Sequence, residues 1–230
     1  MAVEAVLLTA EAFAPFGTVI PSPTSTSTAT IPDPPPPNAV YANQGTALKY
    51  SDISPFTSTY RLSPSGLPAR PTTNLFSCFP RTLRTSRNQS IFDVRILERH
   101  PFTTQSFIPI SSKALTTDSK ALIIVAPTLS SPEPPSALTP YFPQYNWKQD
   151  GPPDLKNLKA FIAEPGVGVA YGVGIWHAPM VIIGEERIDF VVTQWMSGRA
   201  DEDCQELGIG PGCEVILNAS EGANGLKAKL

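Results

Sequence analysis

Histidine is the scarcest reactive side chain in this sequence: 230 residues hold two, His100 and His177. Any chemistry that needs an imidazole near neutral pH must therefore use these two positions. Cysteine is almost as rare. Cys78, Cys204 and Cys213 form no C-x-x-C pair and no even set, so free thiols in a reducing compartment are expected. Charge is sparse too, with 16% charged residues and a net charge of -3. That field is too weak to attract nucleic acid or an anionic membrane surface, and neither is expected as a partner. No apolar run reaches the roughly 18 residues of a membrane-spanning helix. The opening MAVEAVLLTAEAF is too short and too acidic for a secretory signal. No phosphate loop or dinucleotide fingerprint occurs. GVGVAYGVG is glycine-rich but follows no βαβ pattern, so its glycines read as turns and close packing. No organic cofactor is expected. The location expected is cytoplasmic, or peroxisomal if the final Ala228-Lys229-Leu230 serves as a variant of the Ser-Lys-Leu address.

What the chain does have is proline and glycine, 26 and 15 residues, which favour short strands and many turns over long helices. With 41% hydrophobic residues, it can build one sizeable core, and a single domain over 1–230 is expected. Two proline-rich insertions interrupt it, at about 21–38 and about 128–153. The first is too poor in apolar residues to offset its ordering entropy. The second carries Tyr141, Phe142, Tyr145 and Trp147. Thr9 caps a helical turn at Ala10–Phe13, and Asn43-Gln44-Gly45 marks a turn. Strands are expected at Thr18–Ile20, Asn74–Phe79, Ile91–Glu98, Gln105–Ile110, Ala121–Ala126 and Val167–Tyr171. Val181–Ile183 and Arg187–Trp195 read as a hairpin. An acidic stretch follows Ser197, and the chain is expected to fray from about 219. This pattern argues for an all-β barrel or sandwich with a few short helices.

The stretch LERHPFTTQSFIPI carries one of the two histidines. In extended chain, alternate residues share a face, so Phe92, Val94, Ile96, Glu98 and His100 point together, as a wall turning from core into pocket. Arg99 falls on the other face and is expected to point outward. Glu98, His100 and Gln105 repeat the spacing of the first metal motif of cupin barrels. Gly166, Gly172, Gly174 and His177 repeat the second, with Gly172 in place of its proline and Val181 in place of its asparagine. The chain thus resembles a cupin with a weakened ligand set: Glu98, His100, Gln105 and His177. Two readings stay open, a divalent metal of unspecified identity held with modest affinity and a metal-free pocket. A buried histidine beside a glutamate is also compatible with a satisfied polar pair.

Three blocks in order along the chain, LERHPFTTQSFIPI, LKAFI with GVGVAYGVGIWHAPM, and RIDFVVTQW with DEDCQE, are similar to the ureidoglycolate lyase family. AFAPFGTVI, NQG with Lys49-Tyr50, and Asn74 add to the resemblance, and the proline-rich insertions and GVGIWHAPM resemble fungal members. The resemblance implies a cupin-like double-stranded β-helix barrel, a homodimer, and cleavage of (S)-ureidoglycolate to glyoxylate and urea in allantoin and purine catabolism. It implies Glu98, His100 and His177 as catalytic residues, and Gln105, Tyr171, Trp176, Asn74 and Lys49 as substrate contacts, although Tyr171 and Trp176 also read as core. The alternatives are another small-molecule cupin enzyme, a metal-dependent isomerase or oxygenase, and a non-catalytic protein that binds a small carboxylate.

Overall fold

A computed structural model describes residues 1–21, 30–110, 118–129 and 151–217. The aromatic part of the second insertion and the chain end lie outside the described residues. The strands are β1 (Ala2–Leu7), β2 (Gly17–Ile20), β3 (Ala39–Ala42), β4 (Ala47–Tyr50), β5 (Arg70–Cys78), β6 (Arg84–Ser86), β7 (Gln89–Asp93), β8 (Ile96–Arg99), β9 (Gln105–Pro109), β10 (Lys120–Ala126), β11 (Lys159–Ala163), β12 (Gly168–Tyr171), β13 (Trp176–His177), β14 (Val181–Ile183), β15 (Ile188–Met196), β16 (Gln205–Gly208) and β17 (Glu214–Leu217). The helices among the described residues are single turns. α1 (Ala10–Phe13) has the expected Thr9 cap, whose hydroxyl accepts from the Ala12 N–H, and α2 (Ala200–Asp203) follows β15. The architecture is all-β, as expected.

Two sheets carry the fold. The larger runs β16-β8-β13-β10-β11-β1-β17-β7-β6, with β14 also on β10, and the smaller runs β2-β12-β9-β15-β5. The hairpin β3–β4 stands apart, joined by the Asn43-Gln44-Gly45 turn. Chain connectivity forces the larger sheet to curl. β7 and β8 lie six strands apart along it, about 29 Å if it were flat. Only Val94 and Arg95 join them, a span of about 10 Å at most. The sheet therefore bends round until its ends meet. The corner is pinned where the Val94 N–H donates to Cys213 O at 2.9 Å and the Ile209 N–H to Arg95 O at 2.6 Å.

Curling gives the larger sheet a core on each face. On β10, Leu122, Ile124 and Ala126 face the inside of the curl, with Leu97, Ile162, Trp176 and Val215. Ile123 and Val125 face the smaller sheet, with Phe107, Phe161, Tyr171, Phe190 and Val192. A strand buried on both faces has no polar side to alternate, which explains the unbroken apolar run ALIIVA. Phe13, wholly buried, plugs the second core, its ring 5.7 Å from that of Phe161.

Three expectations are corrected. Ile91–Glu98 is two strands, because the chain changes its neighbours at the corner: β7 pairs with β6 and β17, β8 with β13 and β16. The common face of Phe92, Val94 and Ile96 is lost there. Phe92 and Val94 are core, whereas Ile96 is 44% exposed. Val181–Ile183 and Arg187–Trp195 form no hairpin: β14 pairs with β10, and β15 with β5 and β9. The turn between them crosses from one sheet to the other at Gly184, whose φ is +117° and where a Cβ would lie 2.7 Å from Ser119 Cα. Arg99 is buried, not outward. Its Nε donates to Gln205 Oε1 at 2.8 Å, and its guanidinium lies 4.7 Å from the Trp176 ring centroid. The cysteines are free, as expected.

Candidate active site

The register of the larger sheet builds a row of polar side chains. His177 on β13 stands opposite Glu98 on β8, which stands opposite Glu206 on β16. His177 also pairs with Val125, so the row faces the gap between the sheets. The smaller sheet closes this gap with Tyr171 on β12, paired with Gln105 on β9. The Tyr171 ring stacks on His177, with centroids 3.9 Å apart and planes 10° apart. His100, just past β8, brings its ring to 5.5 Å from that of His177.

Glu98, His100 and His177 each offer a ligand atom, and these lie within 4.8 Å of one another. The two imidazoles are held in one tautomer. His100 Nδ1 donates to Asp203 O at 2.7 Å, and His177 Nδ1 to Ile175 O at 3.0 Å. A carbonyl can only accept, so both Nδ1 atoms carry a proton, and the neutral His100 presents a lone pair at Nε2. Among the described residues both Nε2 atoms are buried without a hydrogen-bond partner. His177 Nε2 lies 3.5 Å from Glu98 Oε1, at the outer limit of a hydrogen bond. Gln105 Nε2 donates to Gln194 Oε1 at 2.7 Å, which leaves Gln105 Oε1 buried and unpartnered.

Electrostatics follow from burial. Burial, with His177 close by, lowers the His100 pKa to about 4, so this imidazole is neutral at neutral pH. Burial works against the Glu98 carboxylate, but His177 and His100 outweigh it and hold it below the usual range. Cys204 lies beside Glu98 and Glu206. Burial and those carboxylates push its thiol up to about 12, which makes it a poor nucleophile.

The depressed His100 pKa predicts acid sensitivity. The unfolded chain takes this proton near the ordinary 6.5 and the folded one near 4. The unfolded state therefore binds more protons between these values. The contribution to stability is complete above about pH 6.5 and is lost as the pH falls towards 4, for about 3 kcal/mol in all. Guanidinium unfolding at a series of pH values should show this slope in wild type and a shallower one in His100→Gln. Equal slopes would contradict it.

Two buried imidazoles and a carboxylate within reach of one another are a donor set that suits a divalent cation, and the Nδ1 bonds are the outer support such ligands need. The residues therefore fit a metal, with Glu98, His100 and His177 as the ones that would hold it and Gln105, a neutral amide against His100, as the weakest of the expected ligands.

Of the expected site residues, Glu98, His100, His177, Gln105 and Tyr171 are brought together. Trp176 points to the opposite face, into the core inside the curl. Asn74 is exposed on β5 opposite Val192. Lys49 is exposed on β4 opposite Val40. Sequence reasoning missed the carbonyl of Asp203 and the fixing of Gln105 by Gln194. The acidic DEDCQE, which entered the reading only as part of a resemblance block, was the only signal of the former.

An all-β, cupin-like fold with a carboxylate and two oriented imidazoles in the gap between its sheets is an arrangement of the cupin-like enzyme kind. The family is narrower than that. The ureidoglycolate lyase family model matches residues 1–216, and the chain belongs to that family. It is 34% identical over 213 residues to the ureidoglycolate lyase of Schizosaccharomyces pombe, covering 93% of this chain and 94% of that protein. It is 31% identical over 225 residues to that of Saccharomyces cerevisiae, covering 94% and 98%. It is 30% identical over 192 residues to that of Burkholderia mallei, covering 84% and 82%. Among the described residues no helix is long and apolar enough to cross a membrane.

Proposed function

We propose that this chain is a carbon–nitrogen lyase that cleaves (S)-ureidoglycolate to glyoxylate and urea. The observation that carries the reading is the convergence of the Glu98 carboxylate with the Nε2 atoms of His100 and His177. The substrate is a hemiaminal, with a hydroxyl, a carboxylate and a urea nitrogen on one carbon. Cleavage needs the hydroxyl proton removed as the C–N bond breaks, and the departing nitrogen protonated. Glu98 takes the hydroxyl proton. The O–H electron pair becomes the glyoxylate carbonyl, and the C–N pair leaves with urea. Glu98 passes this proton to the urea nitrogen, directly or by way of His177 Nε2 3.5 Å away, so the protein ends as it began. The free Gln105 Oε1 and His100 Nε2 are acceptors matched to the N–H groups of the ureido end. Tyr171 keeps the His177 ring in place. A divalent cation bound by Glu98, His100 and His177 would supply Lewis acidity towards the substrate hydroxyl.

Lys49 and Asn74, carried by the family resemblance, would meet the substrate from the solvent side. With racemic ureidoglycolate, purified protein should consume half of the material and release glyoxylate and urea in equal amounts. Ammonia in place of urea would contradict the reading.

The active form we propose is a homodimer. β5 is an edge strand of nine residues, and Leu75, Phe76 and Phe79 are exposed on or beside it, the kind of edge that a second copy would cover. Light scattering should give twice the chain mass, falling to one chain mass in Leu75→Asp/Phe79→Asp. An unchanged mass in that variant would place any interface elsewhere.

A further inference from the structure

Tyr60 lies outside the pocket and sequence reasoning gave it no role, yet it touches both structures that define His100. It is 3% exposed. The turn that follows His100 pairs with the segment before Tyr60: Thr59 N–H donates to Phe102 O at 2.7 Å and Thr104 N–H to Thr57 O at 3.2 Å. The Tyr60 ring packs on Phe102 with centroids 5.6 Å apart. Its hydroxyl donates to Asp203 Oδ1 at 2.6 Å. The Asp203 carboxylate, also 3% exposed, accepts from Ser197 N–H at 2.7 Å, Ser197 Oγ–H at 3.0 Å and Gly198 N–H at 2.8 Å. The carbonyl of the same Asp203 accepts the His100 Nδ1 proton. One tyrosine thus grips the turn that carries His100 and the residue that receives its proton.

We infer that Tyr60 and Asp203 are positioning residues, which together hold His100 as the Nδ1–H tautomer with its Nε2 lone pair towards Glu98 and His177. Among the described residues His100 Nε2 makes no hydrogen bond, so the Asp203 bond is the one that selects the tautomer. If Asp203 shifts, the proton divides between the two nitrogens, and part of the population presents an N–H where the site needs an acceptor. His177 is an internal control, since its Nδ1 partner, Ile175, is only two residues away and owes nothing to Tyr60.

The inference rests on the lyase reading for its kinetic arm only. A chain with two histidines, labelled with 15N-histidine, gives two sets of imidazole signals and needs no substrate. Tyr60→Phe and Asp203→Asn should move the His100 nitrogens from the pure Nδ1–H pattern towards a tautomer mixture, with those of His177 unmoved. On ureidoglycolate, kcat should fall about tenfold with KM within about twofold, the scale seen when the outer partner of a functional histidine is lost. Ser65→Ala removes the hydroxyl that donates to Glu202 Oε2 at 2.7 Å. It weakens the hold on Glu202 but removes no bond of the Tyr60–Asp203–His100 chain and keeps the Ser65 N–H bond to Glu202 Oε1, so it should lower thermal stability and leave the His100 signals in place. Unmoved His100 nitrogens in folded Tyr60→Phe would overturn the inference whatever kcat does. Moved nitrogens with wild-type kcat would overturn the role in the reaction.

Discussion

Glu98→Gln should lose about a thousandfold in kcat while folding normally. The size follows from the job assigned to this carboxylate, since removing a positioned base costs about 10²–10⁴ in rate. The amide has the same shape, fills the same gap between β13 and β16, and opens no cavity. It removes the negative charge and the proton acceptor 3.5 Å from His177 Nε2. Stability should fall modestly, because His177 and His100 favour the ionised carboxylate and the amide carries no charge. His177→Ala should lose as much activity but is a blunter test, since it also leaves the Tyr171 ring, now stacked at 3.9 Å, facing a void. Retention of kcat within about tenfold in Glu98→Gln would remove the carboxylate from the chemistry. Circular dichroism and an unfolding curve on the same sample exclude a folding defect.

Gly17→Ala should be the most damaging glycine-to-alanine substitution among the described residues, although Gly17 touches no substrate. A Cβ built on Gly17 falls 1.9 Å from the backbone oxygen of Ala170, deep inside contact distance of an atom with no freedom to rotate away. β2 must then lift off β12, whose Tyr171 pairs with Gly17 and covers His177. The same shift pulls Phe16 O from the Gly172 N–H at 2.8 Å and disturbs the packing of Phe16 and Phe13 on Phe161. Overpacking of this kind costs about 3 kcal/mol or more, or roughly 6–12 °C in Tm for a chain of this size, and kcat should fall with it. Gly45→Ala is the contrast. Gly45 also has positive φ, +86°, but a Cβ there has nothing within 4 Å, so only the backbone conformation is penalised, by about 1 kcal/mol. Equal melting points for the two variants would contradict the packing account.

The pocket was legible where it depends on alternation along one strand. Glu98 and His100 are two apart in extended chain and do face the same gap, and Gln105 begins β9 on the face of Phe107. Alternation also carried a warning about Trp176. Neighbours in a strand cannot share a face, so with His177 in the pocket Trp176 belongs to the core behind it. What alternation could not reveal was where a strand changes partners. Val94 and Arg95 hold neither glycine nor proline, yet the sheet closes through them, because that corner is imposed by main-chain bonds from Cys213 and Ile209 far along the sequence. Arg99 looked solvent-facing for the same reason: its neighbours Gln205 and Trp176 come from β16 and β13. The part of Asp203 that matters to His100 is a carbonyl oxygen, which every residue type possesses and no side-chain pattern can mark.

The central claim, that the ureido acid sits against Glu98, His100 and His177, is tested most directly with an unreactive analogue. N-carbamoylglycine lacks only the hydroxyl whose proton starts the reaction. Titrated into 15N-histidine-labelled protein, it should shift the Nε2 signals of both histidines along one saturation curve, and its dissociation constant should match its competitive inhibition constant against ureidoglycolate. Competitive inhibition with both histidine signals unmoved would put the substrate elsewhere on the protein and contradict the account.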